Sequence, residues 1–324
     1  MPSKHVRQLL AAVAVFAAVA VVAVLLLWDR DDETPPPAAP PPSEPSATPS
    51  EPPEPQRRLL VIKIDNVEPA RPQTGLGAAE VVYVEPVEGG LTRLAAVYSA
   101  NLPDVAGPVR SARQTDIQLL AQYGRPTLAY SGAAPEIRPL LRSAPLVIAP
   151  EAAAPGAYFR NSSRPRPHNL FVRPARLPEG RGAGPRQVFE FGAAPGGGTA
   201  ATEHGARYPA ASYRFTWAPR QGRWLVSMNG TPLRSAESGR VSAATVIVQR
   251  VEIRQGAQVA DAAGAVSPVV RSVGSGPATV LRDGKSYAAT WKREKPADGT
   301  RFTTKAGEPL PLAEGPVWVL LVPR

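Results

Sequence analysis

Twenty consecutive apolar residues, Leu9 to Trp28, decide the first thing about any structure this chain adopts. A helix of that length crosses the hydrocarbon core of a bilayer, about 30 Å at 1.5 Å per residue. The run is preceded by Lys4 and Arg7 and followed by Asp29, Asp31, Asp32 and Glu33. That charge bias places residues 1–8 in the cytoplasm and everything after Arg30 outside. Secretory signals have apolar regions of roughly 7 to 15 residues ending in a small-residue cleavage site. Here the run ends in Leu25-Leu26-Leu27-Trp28 and then charge, so the expectation is an uncleaved anchor, with a cleaved signal as the alternative. The chain has no cysteine. It can carry no thiol-linked lipid, disulfide or thiolate nucleophile, which leaves the helix itself as the anchor.

Eleven prolines lie between Thr34 and Pro55 among Ser, Thr, Ala and Glu. Such a tract buries no core and favours polyproline II, reaching on the order of 60 to 70 Å at about 3.1 Å per residue. Residues 29–56 therefore read as a stalk. Beyond it, residues 57–324 hold 34 of the 37 Lys and Arg and 20 of the 27 Asp and Glu, a net +14. A basic body outside a membrane suits anionic partners: lipid headgroups or wall polymers bearing phosphate or carboxylate. Arg outnumbers Lys 31 to 6, which GC-rich coding produces without any partner.

The body is expected to be α+β, a mixed α/β domain over 57–195, a linker over 196–206, and a mostly-β domain over 207–324. In the first half, Leu59–Ile64 is an apolar strand interrupted only by Lys63. Residues 81–99 form a hairpin turning at Gly89-Gly90, Ser111 caps a helix with Gln114 completing a capping box, and Ile117, Leu120 and Tyr123 share its buried face. Residues 126–130 read as a strand and 136–141 as a helix. Seven short strands follow in the second half: 212–217, 223–228, 245–251, 269–273, 278–281, 287–291 and 317–322. Asn229-Gly230 and Asp283-Gly284 supply tight turns between them.

Five ordered motifs then become recognisable: I-D-N (Ile64 to Asn66), A-R-P-Q-T-G-L (Ala70 to Leu76), V-E-G-G-L-T-R (Val87 to Arg93), G-P-V-R-S-A-R (Gly107 to Arg113) and P-H-N-L-F (Pro167 to Phe171). With V-G-S-G (Val273 to Gly276), D-G-K (Asp283 to Lys285) and T-W-K-R (Thr290 to Arg293), the chain resembles the YerB-like lipoprotein family, the domain of unknown function 3048, over about 260 residues. The resemblance implies an exported protein with an N-terminal and a companion C-terminal domain, and no reaction. Two departures stand out. A membrane helix replaces the lipidated cysteine, and the acid that the family places directly after the tyrosine at Tyr83 is one residue later, at Glu85, which moves it to the opposite strand face.

Several residues could carry chemistry. Arg110 and Arg113 flank Ser111 at an expected helix N-terminus, where they could hold phosphate or carboxylate, or else pair with Asp65, Glu80, Glu85 or Glu88. Arg93 and Glu88 face each other across the hairpin as an ion pair or a functional couple. Asp65 and Asn66 end an apolar strand, where open α/β sheets place their sites and where an Asx turn looks the same. His168, on a proline-stiffened loop rich in arginine, is a base or acceptor, or a loop-ordering residue. Asn169 beside it is counted with the ligand-facing residues. No G-x-S-x-G elbow, S-x-x-K pair, phosphate loop or dinucleotide fingerprint is present. No metal site, cofactor or nucleic-acid partner is expected.

Two readings follow. The first is a membrane-anchored envelope protein binding an anionic wall or membrane-surface component through the arginines and His168. The second is a wall-polymer hydrolase or transferase using Asp65 or Glu88 as acid or base with His168. A protein-partner scaffold is the further alternative. If the carboxylates are each consumed by an arginine, the binding reading gains.

Overall fold

The computed structural model describes residues 57–260 and 266–324. The tail, the Leu9–Trp28 run and the proline-rich stalk lie outside the described residues. Among the described residues no helix is long and apolar enough to cross a membrane.

In the first half the strands are β1 (Leu60–Ile64), β2 (Val81–Pro86), β3 (Thr92–Tyr98), β4 (Thr127–Tyr130) and β5 (Val147–Pro150), with helices α1 (Gln114–Leu120) and α2 (Arg138–Ser143). In the second half are β6 (Glu203–Tyr208), β7 (Ala211–Ala218), β8 (Arg223–Met228), β9 (Thr245–Ala260), β10 (Val266–Arg271), β11 (Gly274–Arg282), β12 (Lys285–Arg293), β13 (Arg301–Thr304) and β14 (Val317–Pro323). Strand far outweighs helix. The two-residue turns expected between strands are present, with Asn229 and Gly230 at φ 51° and 78° and Asp283 and Gly284 at 50° and 69°. Those positive angles match the right-handed twist of the strands they join.

One sheet runs through both halves, in the order β12-β11-β9-β14-β2-β3-β1-β4-β5. The join is β14, parallel to β9 on one side and to β2 on the other. A strand buried on both faces needs a continuous apolar run, and Val317-Trp318-Val319-Leu320-Leu321-Val322 supplies it. The expected linker is no free connection. Thr199–Ala200 pairs with Ser286 and Lys285, and β6 begins at Glu203. These short pairings close the sheet edge that a free linker would leave open.

Each sheet face carries its own core. On one, Ile62, Val84, Leu94, Trp318 and Leu320 pack under the β6–β8 layer through Tyr213, Phe215, Trp224 and Val226. On the other, Val61, Tyr83, Val97, Val319 and Leu321 pack under the helices through Leu119, Leu120 and Leu141. Strand alternation turns Lys63, Glu85 and Arg93 toward the helical face. Lys63 Nζ lies 2.6 Å from Glu85 Oε2 and 2.7 Å from Asp116 Oδ1, and all three side chains are fully buried. The displaced acid at Glu85 is thus spent inside the fold. Burial and the neighbouring Asp116 push its carboxyl above the ordinary range, against the pull of Lys63.

Helix α1 departs from expectation. Its N-cap is Arg113, whose N–H donates to Asp116 Oδ2 at 2.7 Å, and Ser111 lies two residues upstream with its hydroxyl 3.4 Å from that of Ser131. Asp116, three residues past Arg113, reaches back to the cap, as the acid of a capping box does. The second half clamps the helix. Val270 N–H donates to Thr115 Oγ1 at 3.1 Å, Ser272 N–H to Gln118 Oε1 at 2.9 Å, and the Arg293 guanidinium to the Gln118 carbonyl at 2.7 Å.

Removing Lys63 strands two buried carboxylates, so Lys63→Met is expected to cost about 3 to 5 kcal/mol in urea unfolding. Adding Glu85→Leu should recover part of that loss. A single variant within 1 kcal/mol of wild type would show the cluster to be dispensable.

Candidate functional site

The five motifs occupy separate places in the chain, and backbone pairing brings them together at the carboxyl end of β1. Arg110 N–H donates to the Lys63 carbonyl at 2.8 Å, Asp65 N–H to that of Pro108 at 2.9 Å, and Thr74 and Gly107 exchange bonds of 2.8 and 3.0 Å. Val109 N–H donates to the Leu170 carbonyl at 2.6 Å. Gly107, at φ 152°, tolerates no side chain, because a Cβ would stand 2.8 Å from the Phe171 ring and 2.9 Å from the Leu170 carbonyl oxygen. Arginines staple the outer loops. Arg164 donates to the carbonyls of Ala70 and Pro72, and Arg71 to that of Asn66.

Asp65, only 2% exposed, organises the centre. Its Oδ2 lies 2.8 Å from His168 Nδ1 and 3.1 Å from Arg110 Nε. The His168 and Arg110 side chains are 17% and 28% exposed, so each is in partial contact with solvent. Among the described residues, neither His168 Nε2 nor the terminal nitrogens of Arg110 find a hydrogen-bond partner.

Glu88 and Arg93 do not pair, contrary to expectation. The residue opposite Arg93 is Glu85, while Glu88 sits in the 3-10 turn Glu88–Gly90, where it receives a two-pronged grip from Arg113, at 2.6 and 2.7 Å. Ser267 of β10 donates to the same carboxylate. Burial alone would raise the Glu88 carboxyl, but the bonds from Arg113 and Ser267 outweigh it and hold it at about 2.

Arg93 is left over. Glu85, its cross-strand neighbour, turns to Lys63, and Arg93 forms no ion pair with any described acid. Its one hydrogen bond is a 3.4 Å contact to the Ser111 carbonyl, and its buried Nε has none. Burial, then the charges of Arg113 and Arg110, push it down to about 10 against the pull of Asp65 and Glu88. A buried guanidinium that no carboxylate contacts directly is rare in proteins, where such groups are paired.

The remaining candidates have partners inside the fold. Asn66 donates to Thr92 Oγ1 at 2.9 Å and to the Tyr213 hydroxyl at 2.6 Å. Asn169 is buried, and its Oδ1 accepts from Arg160 at 3.0 Å. Trp224, Trp291 and Trp318 are core residues, and Trp217 packs against Trp224 with ring centres 5.2 Å apart and planes tilted by 52°. Among the described residues no group of three or more His, Asp or Glu is placed to hold a metal. A groove of about 660 Å³ between α1, α2 and the β9–β10 hairpin lies apart from this cluster, lined by Ile117, Leu140, Arg254 and Arg271 among others.

The Glu88 carboxyl, held below its unfolded value of 4.5, contributes stability that is complete above that value and disappears as pH falls from about 4.5 to about 2. Thermal unfolding across that range should show a slope that Glu88→Gln flattens. An unchanged slope in the variant would assign the acid sensitivity elsewhere.

Residues 46–184 match the family model "Protein of unknown function (DUF3048) N-terminal domain", and residues 205–319 the corresponding C-terminal domain. A curated relative, "Putative lipoprotein YerB" of Bacillus subtilis (strain 168), is 39% identical over 64 residues, a stretch covering 20% of this chain and 19% of the relative. The crystal structure of the YerB protein from Bacillus subtilis superposes with a TM-score of 0.68 at 19% identity, over 83% of this chain and 92% of that one, which shows a shared fold. Carrying both domains in order, the chain belongs to the DUF3048 family.

Proposed function

We propose that the protein is an extracytoplasmic envelope protein that binds an anionic wall or membrane-surface component at the cluster of Arg93, Arg110 and His168. The observation that carries this reading is Arg93, a cation buried to 7% exposure with no carboxylate of its own beside two further arginines. A guanidinium stripped of water and left unpaired costs stability, and an arriving anion offsets that cost. Both nearby acids are taken, Asp65 by His168 and Arg110, and Glu88 by Arg113 and Ser267. Neither is placed as the free acid or base that the carboxylate-driven hydrolase reading requires.

Leu9–Trp28 serves as the membrane anchor and residues 29–56 as the stalk that carries the body outward. The name of the Bacillus relative, a lipoprotein, supports an envelope location reached there by a different attachment. The reach of the stalk, on the order of 60 to 70 Å, limits the partner to the membrane surface and the adjacent wall.

The test is retention of the purified full-length protein, in detergent, on wall fragments with and without their phosphate polymers and on vesicles with and without anionic lipid. Retention that falls with rising salt and drops at least tenfold in Arg93→Met and Arg110→Ala is expected. Arg93→Met should also raise unfolding stability, by about 1 kcal/mol or more, because it removes an unpaired buried charge. Equal retention in both variants, or a destabilised Arg93→Met, would overturn the reading.

A further inference from the structure

We infer that His168 accepts a phosphoryl group on Nε2 from a phosphoanhydride whose oxygens are held by Arg110 and Arg93. The inference rests on the anion-binding reading of the same site and adds a reaction to it.

The geometry at Asp65 comes first. A carboxylate only accepts, so the 2.8 Å contact puts a ring hydrogen on Nδ1, and the neutral ring with that tautomer carries its lone pair on Nε2. The same Oδ2 lies 3.1 Å from Arg110 Nε as an ion pair, so one buried oxygen sits against an imidazole and a guanidinium at once. Asp65 is held in turn, its N–H on the Pro108 carbonyl and its carbonyl receiving Gln73 Nε2 at 3.2 Å. His168 has no other side-chain bond among the described residues, and its side chain is 17% exposed. This is the arrangement of an oriented nucleophile beside an anion clamp.

The surroundings select the substrate class. A phosphate ester of an ordinary alcohol needs a proton for its departing oxygen. Among the site residues Asp65 is occupied by the His168 ring N–H and the Arg110 guanidinium, and Glu88 is gripped by Arg113 and Ser267. Glu88, held at about 2, carries no proton to give. The leaving group must depart as a stable anion, as phosphate or carboxylate does from an anhydride. Of the hydroxyls beside the arginines, that of Ser111 lies 3.4 Å from that of Ser131.

The step balances without a further reactant. The Nε2 lone pair forms the N–P bond, the bridging P–O bond breaks, and its electron pair leaves with the departing anion. The positive charge on the ring is offset by Asp65 through Nδ1–H, while Arg110 and Arg93 hold the phosphoryl oxygens. Water then attacks phosphorus, the P–N bond breaks, and Nε2 regains its lone pair as the water proton passes to solvent. The sum is one anhydride and one water giving two acids.

The purified full-length protein, in detergent, is incubated with acetyl phosphate and separately with inorganic diphosphate. Intact mass should show one added phosphoryl group, labile in acid and stable in alkali, mapping to His168, and phosphate should be released from diphosphate. His168→Ala should abolish both, and Arg110→Gln should slow both at least tenfold. If His168→Ala does not fold, His168→Gln, which keeps a donor toward Asp65, replaces it. An unlabelled wild type, or label persisting in the variant, would overturn the inference. Salt-sensitive retention on wall fragments or vesicles by an unlabelled wild type would leave the binding reading standing, whereas loss of retention as well would remove both.

Discussion

Everything at the candidate site hangs on a buried ammonium shared by two carboxylates. Lys63 holds Glu85 of β2 and Asp116 of α1 at once, with no exposure on any of the three. Asp65 lies two residues beyond Lys63, Glu88 and Arg93 bracket the turn that follows Glu85, and Arg113 is the cap that Asp116 receives. Shifting that contact would move each of them. In the low-dielectric interior the loss of any one member is costly, and Lys63 binds one oxygen of each acid while Glu85 Oε1 is left without a hydrogen bond.

The same interior explains why the arginines differ. Arg113 is neutralised by Glu88, and Arg110 shares Asp65 with His168. Arg93, opposite Glu85 in the ladder, is deprived of it because Lys63 takes that acid first. The buried triad and the unpaired guanidinium are therefore one arrangement seen from two sides. A fold that wanted only stability would place an apolar side chain at Arg93. In the proposed reading, the cation is retained there for an anionic partner.

Much of the fold was legible from local pattern. Arg223–Met228 was delimited by alternation and by the Asn229-Gly230 turn, and the 81–99 hairpin by its apolar arms and paired glycines. The site residues Asp65, Arg93, Arg110, Arg113 and His168 were named from motifs that do converge. Their pairing was not legible. Glu88 and Arg93 looked opposed because a turn's side-chain directions cannot be read from spacing, and the cap moved from Ser111 to Arg113 because Asp116 competes for it. Ser267 reaching Glu88, Tyr213 reaching Asn66 and Ser235 accepting from Leu76 N–H at 3.1 Å join distant parts of the chain, and such contacts leave no local signature. Lys63, alone in an apolar strand, was the one clue to the buried triad.

The central claim is that Arg93 is held without a counter-ion for an anion that comes from outside. Thermal unfolding of the full-length protein in phosphate and in chloride, at matched ionic strength, tests it most directly, because a bound anion stabilises only the folded state that binds it. The account predicts a midpoint that rises with phosphate concentration in wild type and stays flat in Arg93→Met. Equal responses of the two proteins to phosphate would contradict it.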